Sequence, residues 1–259
     1  MDEAQTLPGG NAGGEVVRIA DTVRKRWTAA TPSVTAYVHA LREAGVDAPA
    51  PLGRDAEGRQ VQEFIPGHLA MAAQPLTHAE LRRAGSMVRS IHDASASYVP
   101  AADAVWETAI PAPDHELVCH NDLAPWNLVL GERWVFIDWD ASAPSTRLWD
   151  LAYAAQSFTV NDHRQPPAVA ARALAAFVDG YGPDPETREL LPAAMGERAE
   201  AMWELLHTSS GTGHEPWASM FRNGHGAHWE TATRYVKEHR DTWARITAPR
   251  SNQARGDGS

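Results

Sequence analysis

The stretch Val118-Cys119-His120-Asn121-Asp122-Leu123-Ala124-Pro125-Trp126-Asn127, followed by Val135-Phe136-Ile137-Asp138-Trp139-Asp140, decides how this chain reads. It sets an Asp two residues after a His, an Asn five residues after that Asp, and a second acidic site eleven residues further on, at the end of an apolar run. The runs 116–119 and 133–137 read as short strands, with a break at Gly131-Glu132 between them. The loop carrying Asp122 and Asn127 is therefore pinned at both ends.

A carboxylate and an amide projecting from one rigid loop suit phosphoryl transfer. That reaction asks little covalent help of a protein but demands that nucleophile, metal and phosphates be held in line. In the kinase form of the pattern, His-x-Asp-x-x-x-x-Asn supplies a catalytic carboxylate and a metal-binding amide, and a later Asp holds magnesium. Read only as structure, Asp122 would cap a turn, Asn127 fill an Asx-turn and Asp138 end a strand. Their occurrence together, with a helix start at Arg147-Leu148-Trp149-Asp150-Leu151-Ala152, favours the chemical reading.

On His120, Asp122, Asn127 and Asp138, with Trp149-Asp150-Leu151-Ala152 behind them, the chain resembles the aminoglycoside phosphotransferase and choline kinase-like family. The resemblance implies an α+β, bilobal protein-kinase-like fold, with a small antiparallel β N-lobe carrying one helix and a mainly helical C-lobe. It implies ATP and Mg2+ between the lobes, and transfer of the γ-phosphoryl group to a hydroxyl of a small molecule, an aminoglycoside-like antibiotic or a hydroxylated metabolite. Asp122 is then the catalytic carboxylate, His120 holds the loop, Asn127 and Asp138 are the metal ligands, and Asp150 braces the loop from behind. A catalytically inactive nucleotide- or ligand-binding relative is the alternative. Protein kinase activity is disfavoured, because no activation segment separates Asp138 from Arg147.

The nucleotide side fits less well. Residues 1–6 read as disordered, 7–14 as a glycine-rich turn holding Gly10 and Gly13, and 15–20 and 23–27 as strands of a hairpin. Glycines let backbone N–H groups approach phosphates. Gly-Gly-x-x-Gly-Gly is not the Gly-x-Gly-x-x-Gly of protein kinases, however, and a plain hairpin turn is an equal reading. Strand alternation sends only one of Arg24 and Lys25 into the cleft. Alignment with the family's apolar-Lys step favours Arg24, with Lys25 as rival. A helix over 32–44, N-capped by Thr31, has the stripe Val34, Tyr37, Val38, Leu41, but its single carboxylate, Glu43, falls in the last turn and leaves the cation without a helix partner. The strand 60–65 ends at Pro66-Gly67 and resembles the hinge between lobes, where main-chain groups near Glu63 and Ile65 meet the adenine edge.

The lobe boundary goes at Gly67, giving 1–67 for the nucleotide lobe, 68–248 for the catalytic and acceptor lobe and 249–259 for a disordered tail. Thr77 and Glu80 form a capping box for a helix ending near His92, a histidine read as satisfied by local bonds. Residues 148–159, 167–181 and 184–206 read as helices, the last broken near Pro192. Glu197, Glu200 and Glu204 share a helix face, either the wall of a pocket for a cationic amine or, more commonly, a solvated face, as Arg198 suggests. His225 and His228 lack the spacing of a zinc site.

Composition sets the outer bounds. With 259 residues, 43% hydrophobic and 22% charged, the chain suits one bilobal unit. A net charge of -10 argues against a nucleic-acid partner and weakly favours a cationic acceptor. No apolar run reaches membrane-span length, the N-terminus is not a signal peptide, and the lone Cys119 reads as a buried inert thiol. Cytoplasmic ATP chemistry matches this setting.

Overall fold

The computed structural model describes residues 4–7, 14–73 and 75–247. The first quarter makes a five-stranded antiparallel sheet from β1 (Gln5–Thr6), β2 (Val17–Ile19), β3 (Thr22–Lys25), β4 (Pro51–Arg54) and β5 (Gln60–Glu63), ordered β1-β2-β3-β5-β4. Two corrections follow. Gln5 and Thr6 are not disordered but pair with Arg18 and Val17, a main-chain interaction that needs no apolar signature. The turn between β2 and β3 falls at Ala20-Asp21, with Ala20 at a φ of 52°.

Helix α1 (Thr31–Glu43) covers this sheet. Val34, Tyr37, Val38 and Leu41 are buried, as their spacing predicts. The helix starts from Ala30 without a side-chain cap, and Thr31 instead lies within the first turn, its hydroxyl accepting from the Thr28 N–H at 2.9 Å. The Tyr37 hydroxyl bonds Ser95 Oγ at 2.6 Å and donates to the Val118 carbonyl at 2.9 Å, so α1 is tied to the second half of the chain.

That half opens with β6 (His68–Leu69) and α2 (His78–Ser95), which has the expected capping box of Thr77 and Glu80. Strands β7 (Leu117–Cys119), β8 (Leu128–Leu130), β9 (Trp134–Phe136) and β10 (Ala143–Ser145) form two small sheets, β10-β7 and β6-β8-β9. Gly67 and Gly131 allow the crossing of β6 and β8. A Cβ on Gly67 would stand 2.5 Å from the Leu130 carbonyl oxygen, and one on Gly131 2.4 Å from that of Pro66.

The remainder is helical: α3 (Arg147–Thr159), α4 (Pro167–Tyr181), α5 (Pro185–Thr212), α6 (Trp217–Met220), α7 (Gly226–Glu238) and α8 (Arg240–Thr247). Helix α5 runs unbroken through Pro192, against expectation. A mid-helix proline frees the carbonyl four residues earlier. Here that carbonyl, of Arg188, accepts from the Thr247 hydroxyl of α8 at 3.5 Å, and Pro192 itself is buried. The expected architecture is thus found, a small antiparallel sheet with one helix followed by a mainly helical part, with one apolar core running from Tyr37 and Leu41 through Phe136 and Leu151 to Phe177 and Met195.

Candidate active site

Strands β7 and β8 hold the ends of the loop 120–127, and two residues beside it take the left-handed conformation: Asn121 at a φ of 64° and Asp138 at 63°. Asn and Asp tolerate this region better than other side chains because their short polar groups bond locally. The Asn121 side-chain amide donates to the Ala141 and Ala143 carbonyls, both at 3.2 Å, joining the loop to the turn after Asp138.

His120 is fully buried and does no visible acid-base work. Its Nε2 lies 3.1 Å from the Ile137 carbonyl and its Nδ1 accepts from the Asp122 N–H at 3.3 Å. That pairing requires the Nε2-protonated neutral ring, and burial holds its pKa below the usual histidine range. Trp139 packs against the ring at a centroid distance of 4.6 Å. The ring thus fixes Asp122 to the strand that delivers Asp138.

Asn127 donates through Nδ2 to the Asp122 carbonyl at 2.9 Å and to the Asp122 carboxylate at 2.7 Å. Its Oδ1 has no hydrogen bond among the described residues. Burial, then the negative Asp138, push the Asp122 pKa up to about 7, against the opposing effects of Tyr153, Asn127 and Arg198. Asp122 is therefore poised between acid and base at neutral pH. The Asn127 amide oxygen and the Asp138 carboxylate are hard oxygen donors, the kind that magnesium takes together with phosphate oxygens and water. They fit the expected ion.

Lys25, rather than the favoured Arg24, enters this cluster. Its Nζ lies 2.7 Å from Asp138 Oδ1 and 2.9 Å from Asp140 Oδ2. Lys25 is buried while the two carboxylates keep 39% and 38% of their side-chain surface. Burial by itself would lower the lysine pKa, but the two carboxylates outweigh it and hold the ammonium charged. In return Lys25 holds Asp138 below the usual carboxylate range. Arg24 points to the other face, toward Asp55 at 3.6 Å and the Thr22 hydroxyl. The alternation rule was sound, and the choice between neighbours depended on which sheet face the cleft occupies.

The other nucleotide-side residues are placed as follows. Gly10 and Gly13 lie outside the described residues. The Glu63 N–H donates to the Ala50 carbonyl and the Phe64 N–H to the Asp21 carbonyl, both at 2.9 Å. Those two donors are spent within the sheet, so neither is free for an adenine edge. The Glu63 carboxylate binds Arg133 at 2.7 Å, and Ile65 is buried.

Behind the loop, Asp150 at the start of α3 accepts from the Asn121 N–H at 2.9 Å and meets His92 Nε2 at 3.1 Å. His92 is completed by the Tyr181 hydroxyl at 2.9 Å, so its partners are distant in sequence, not local as expected. Cys119 is buried beside them with its thiol pKa pushed up by burial, an inert group.

The sequence places Arg198 on a solvated face, yet only 4% of it is exposed. It passes from α5 under the loop, donates to the Asn121 carbonyl at 3.3 Å, and lies 4.1 Å from the centre of the Tyr153 ring. Its Nη1 has no hydrogen-bond partner among the described residues. A usable signal existed, because Arg198 stands at helical spacing among the buried Leu191, Met195 and Met202. Of the neighbouring glutamates, Glu200 is paired with Lys237 at 2.5 Å, and Glu197 and Glu204 are exposed. The surroundings of Tyr153 are aromatic: Trp126 and Trp229 pack on it, each at 6.2 Å.

Residues 97–191 match the phosphotransferase enzyme family, a segment that contains His120, Asp122, Asn127, Asp138 and Asp150. The chain is 27% identical over 215 residues to the trifolitoxin immunity protein of Rhizobium leguminosarum bv. trifolii, covering 76% of this chain and 82% of that protein. It follows the fold of the amicoumacin kinase hAmiN with a TM-score of 0.67 at 14% identity, over 92% of this chain and 88% of that one. A choline/ethanolamine kinase family protein from Mesorhizobium loti gives 0.61 at 16% identity, over 95% and 92%. The motif residues thus lie inside the segment that matches the phosphotransferase enzyme family, and along nearly its whole length the chain shares the fold of these small-molecule kinases.

Proposed function

We propose that the chain transfers the γ-phosphoryl group of ATP to a hydroxyl of a small molecule. The observation that carries this reading is the single cluster in which Asn127 bonds Asp122 at 2.7 Å and Lys25 bonds Asp138 at 2.7 Å. The acceptor hydroxyl is placed against the Asp122 carboxylate, which takes its proton as the new oxygen–phosphorus bond forms and the bond to the leaving ADP breaks. Asn127 fixes the direction of that carboxylate, and Lys25 steadies the phosphates. Magnesium, held by Asn127 and Asp138, would neutralise charge on the transferred group. His120 positions the loop and transfers no proton. In this reading the nucleotide lobe ends at Gly67, and the use of ATP favours a cytoplasmic setting. No helix of the described residues is long and apolar enough to cross a membrane.

The related immunity protein, and fold neighbours that act on amicoumacin and spectinomycin, support an antimicrobial compound as acceptor. An aminopropanol kinase among the neighbours supports a small amino alcohol as the second choice. An ATP-consumption screen against hydroxylated antibiotics, amino alcohols and sugars, run beside Asp122→Asn, tests the proposal. Acceptor-dependent turnover lost in the variant supports it. Magnesium-dependent ATP binding without transfer to any acceptor would leave a binding protein instead.

A further inference from the structure

A lysine that steadies phosphates must itself be aimed, and α1 does not supply the group to aim it. Its one carboxylate, Glu43, is exposed in the last turn. The α1 residues Val34, Thr35 and Val38 line a cavity with Gln60 and Trp139 and bring no charge to it. Asp138 cannot serve as the sole partner, because in the proposed function it is committed to the metal. Asp140 is the remaining carboxylate, 2.9 Å from Nζ.

Asp140 is held in turn. Gln60, buried and registered across from Lys25 on the neighbouring strand, donates its amide to both Asp140 oxygens, at 3.3 and 3.4 Å, and to the Arg26 carbonyl at 3.0 Å. Gln62 donates to the Gln60 amide oxygen at 2.9 Å. The chain Gln62, Gln60, Asp140, Lys25 thus runs from the sheet interior to the cleft and ends on the ammonium.

We propose that Asp140, backed by Gln60, is the positioning residue that aims Lys25 at the nucleotide phosphates, in the place where a helix carboxylate would act. This rests on reading the cleft as a nucleotide site. It makes lysine placement independent of any shift of α1, a helix already locked to the second half of the chain through Tyr37.

The test is a double-mutant cycle of Lys25→Met and Asp140→Asn, read both as kcat/KM for ATP and as the Kd of a non-hydrolysable ATP analogue, with thermal unfolding to confirm folding. Asp140→Asn lowers kcat/KM by about 10-fold, the size of a direct pair interaction, and adds nothing in the Lys25→Met background. Its half-saturating magnesium concentration stays that of wild type. Glu43→Gln is silent. Losses that multiply in the double variant, a shifted magnesium requirement, or a Glu43→Gln loss equal to that of Asp140→Asn would each overturn the proposal. A wild-type chain that binds no nucleotide would instead overturn the function on which it rests.

Discussion

Replacing Asp150 by alanine tests how the loop carrying Asp122 is held. The carboxylate is 1% exposed and ends two hydrogen bonds, from the Asn121 N–H at 2.9 Å and from His92 at 3.1 Å. Alanine leaves both donors buried without a partner, at about 1–3 kcal/mol each, so a loss of about 2–6 kcal/mol is expected. For a chain of this size each kcal/mol lowers the midpoint by about 2–4 °C, which puts the fall at roughly 4–24 °C. Activity should suffer separately. Asn121 is held in a left-handed conformation next to Asp122, and release of its N–H lets the loop relax; a misplacement of about 1 Å costs on the order of 100-fold in rate. Asp150→Asn, which keeps one acceptor oxygen, should fall between wild type and alanine in both measures. Calorimetry and acceptor-dependent ADP release measure the two effects. An Asp150→Ala protein with wild-type midpoint and turnover would refute the bracing argument.

Other residues give independent tests. With the Asp122 pKa at about 7, turnover should rise as pH passes upward through that value, because only the ionised carboxylate accepts the proton; a profile flat across it would contradict the assignment. Arg198→Met leaves the buried Asn121 carbonyl without its arginine donor and Asp122 without the neighbouring cation, so the midpoint should fall, by the equivalent of about 1–3 kcal/mol. The same change removes the positive charge beside Asp122 and should move the acid limb to higher pH. Gly67→Ala should destabilise by about 1–3 kcal/mol in denaturant titration, as overpacking does, because its methyl would meet the Leu130 carbonyl at 2.5 Å.

How far the sequence could be read follows from the range of each interaction. The loop between β7 and β8, the capping box of α2 and the stripe of α1 were legible because their geometry is written in residues a few positions apart. Choosing Lys25 over Arg24 required knowing which face of β3 meets the cleft, a property of the assembled sheet. Burial of Arg198 arises where α5 passes under a loop some 80 residues earlier, and a charged residue in a glutamate-rich segment reads as solvent-facing until that crossing is seen. The surroundings of α5 at Pro192 likewise include a distant residue, Thr247 of α8, whose hydroxyl lies 3.5 Å from the Arg188 carbonyl. The aim of Lys25 through Asp140 and Gln60 joins three segments, and no local spacing encodes it.

The central claim is that Asp122 accepts the proton of an acceptor hydroxyl while the cleft binds nucleotide without its help. Single-turnover transfer of a labelled γ-phosphoryl group to the best acceptor, measured in wild type and Asp122→Asn with nucleotide Kd determined alongside, tests it most directly. The account predicts a rate lower by about 100- to 10,000-fold, the range of general-base contributions, with nucleotide affinity nearly unchanged. Transfer at the wild-type rate in that variant would contradict it.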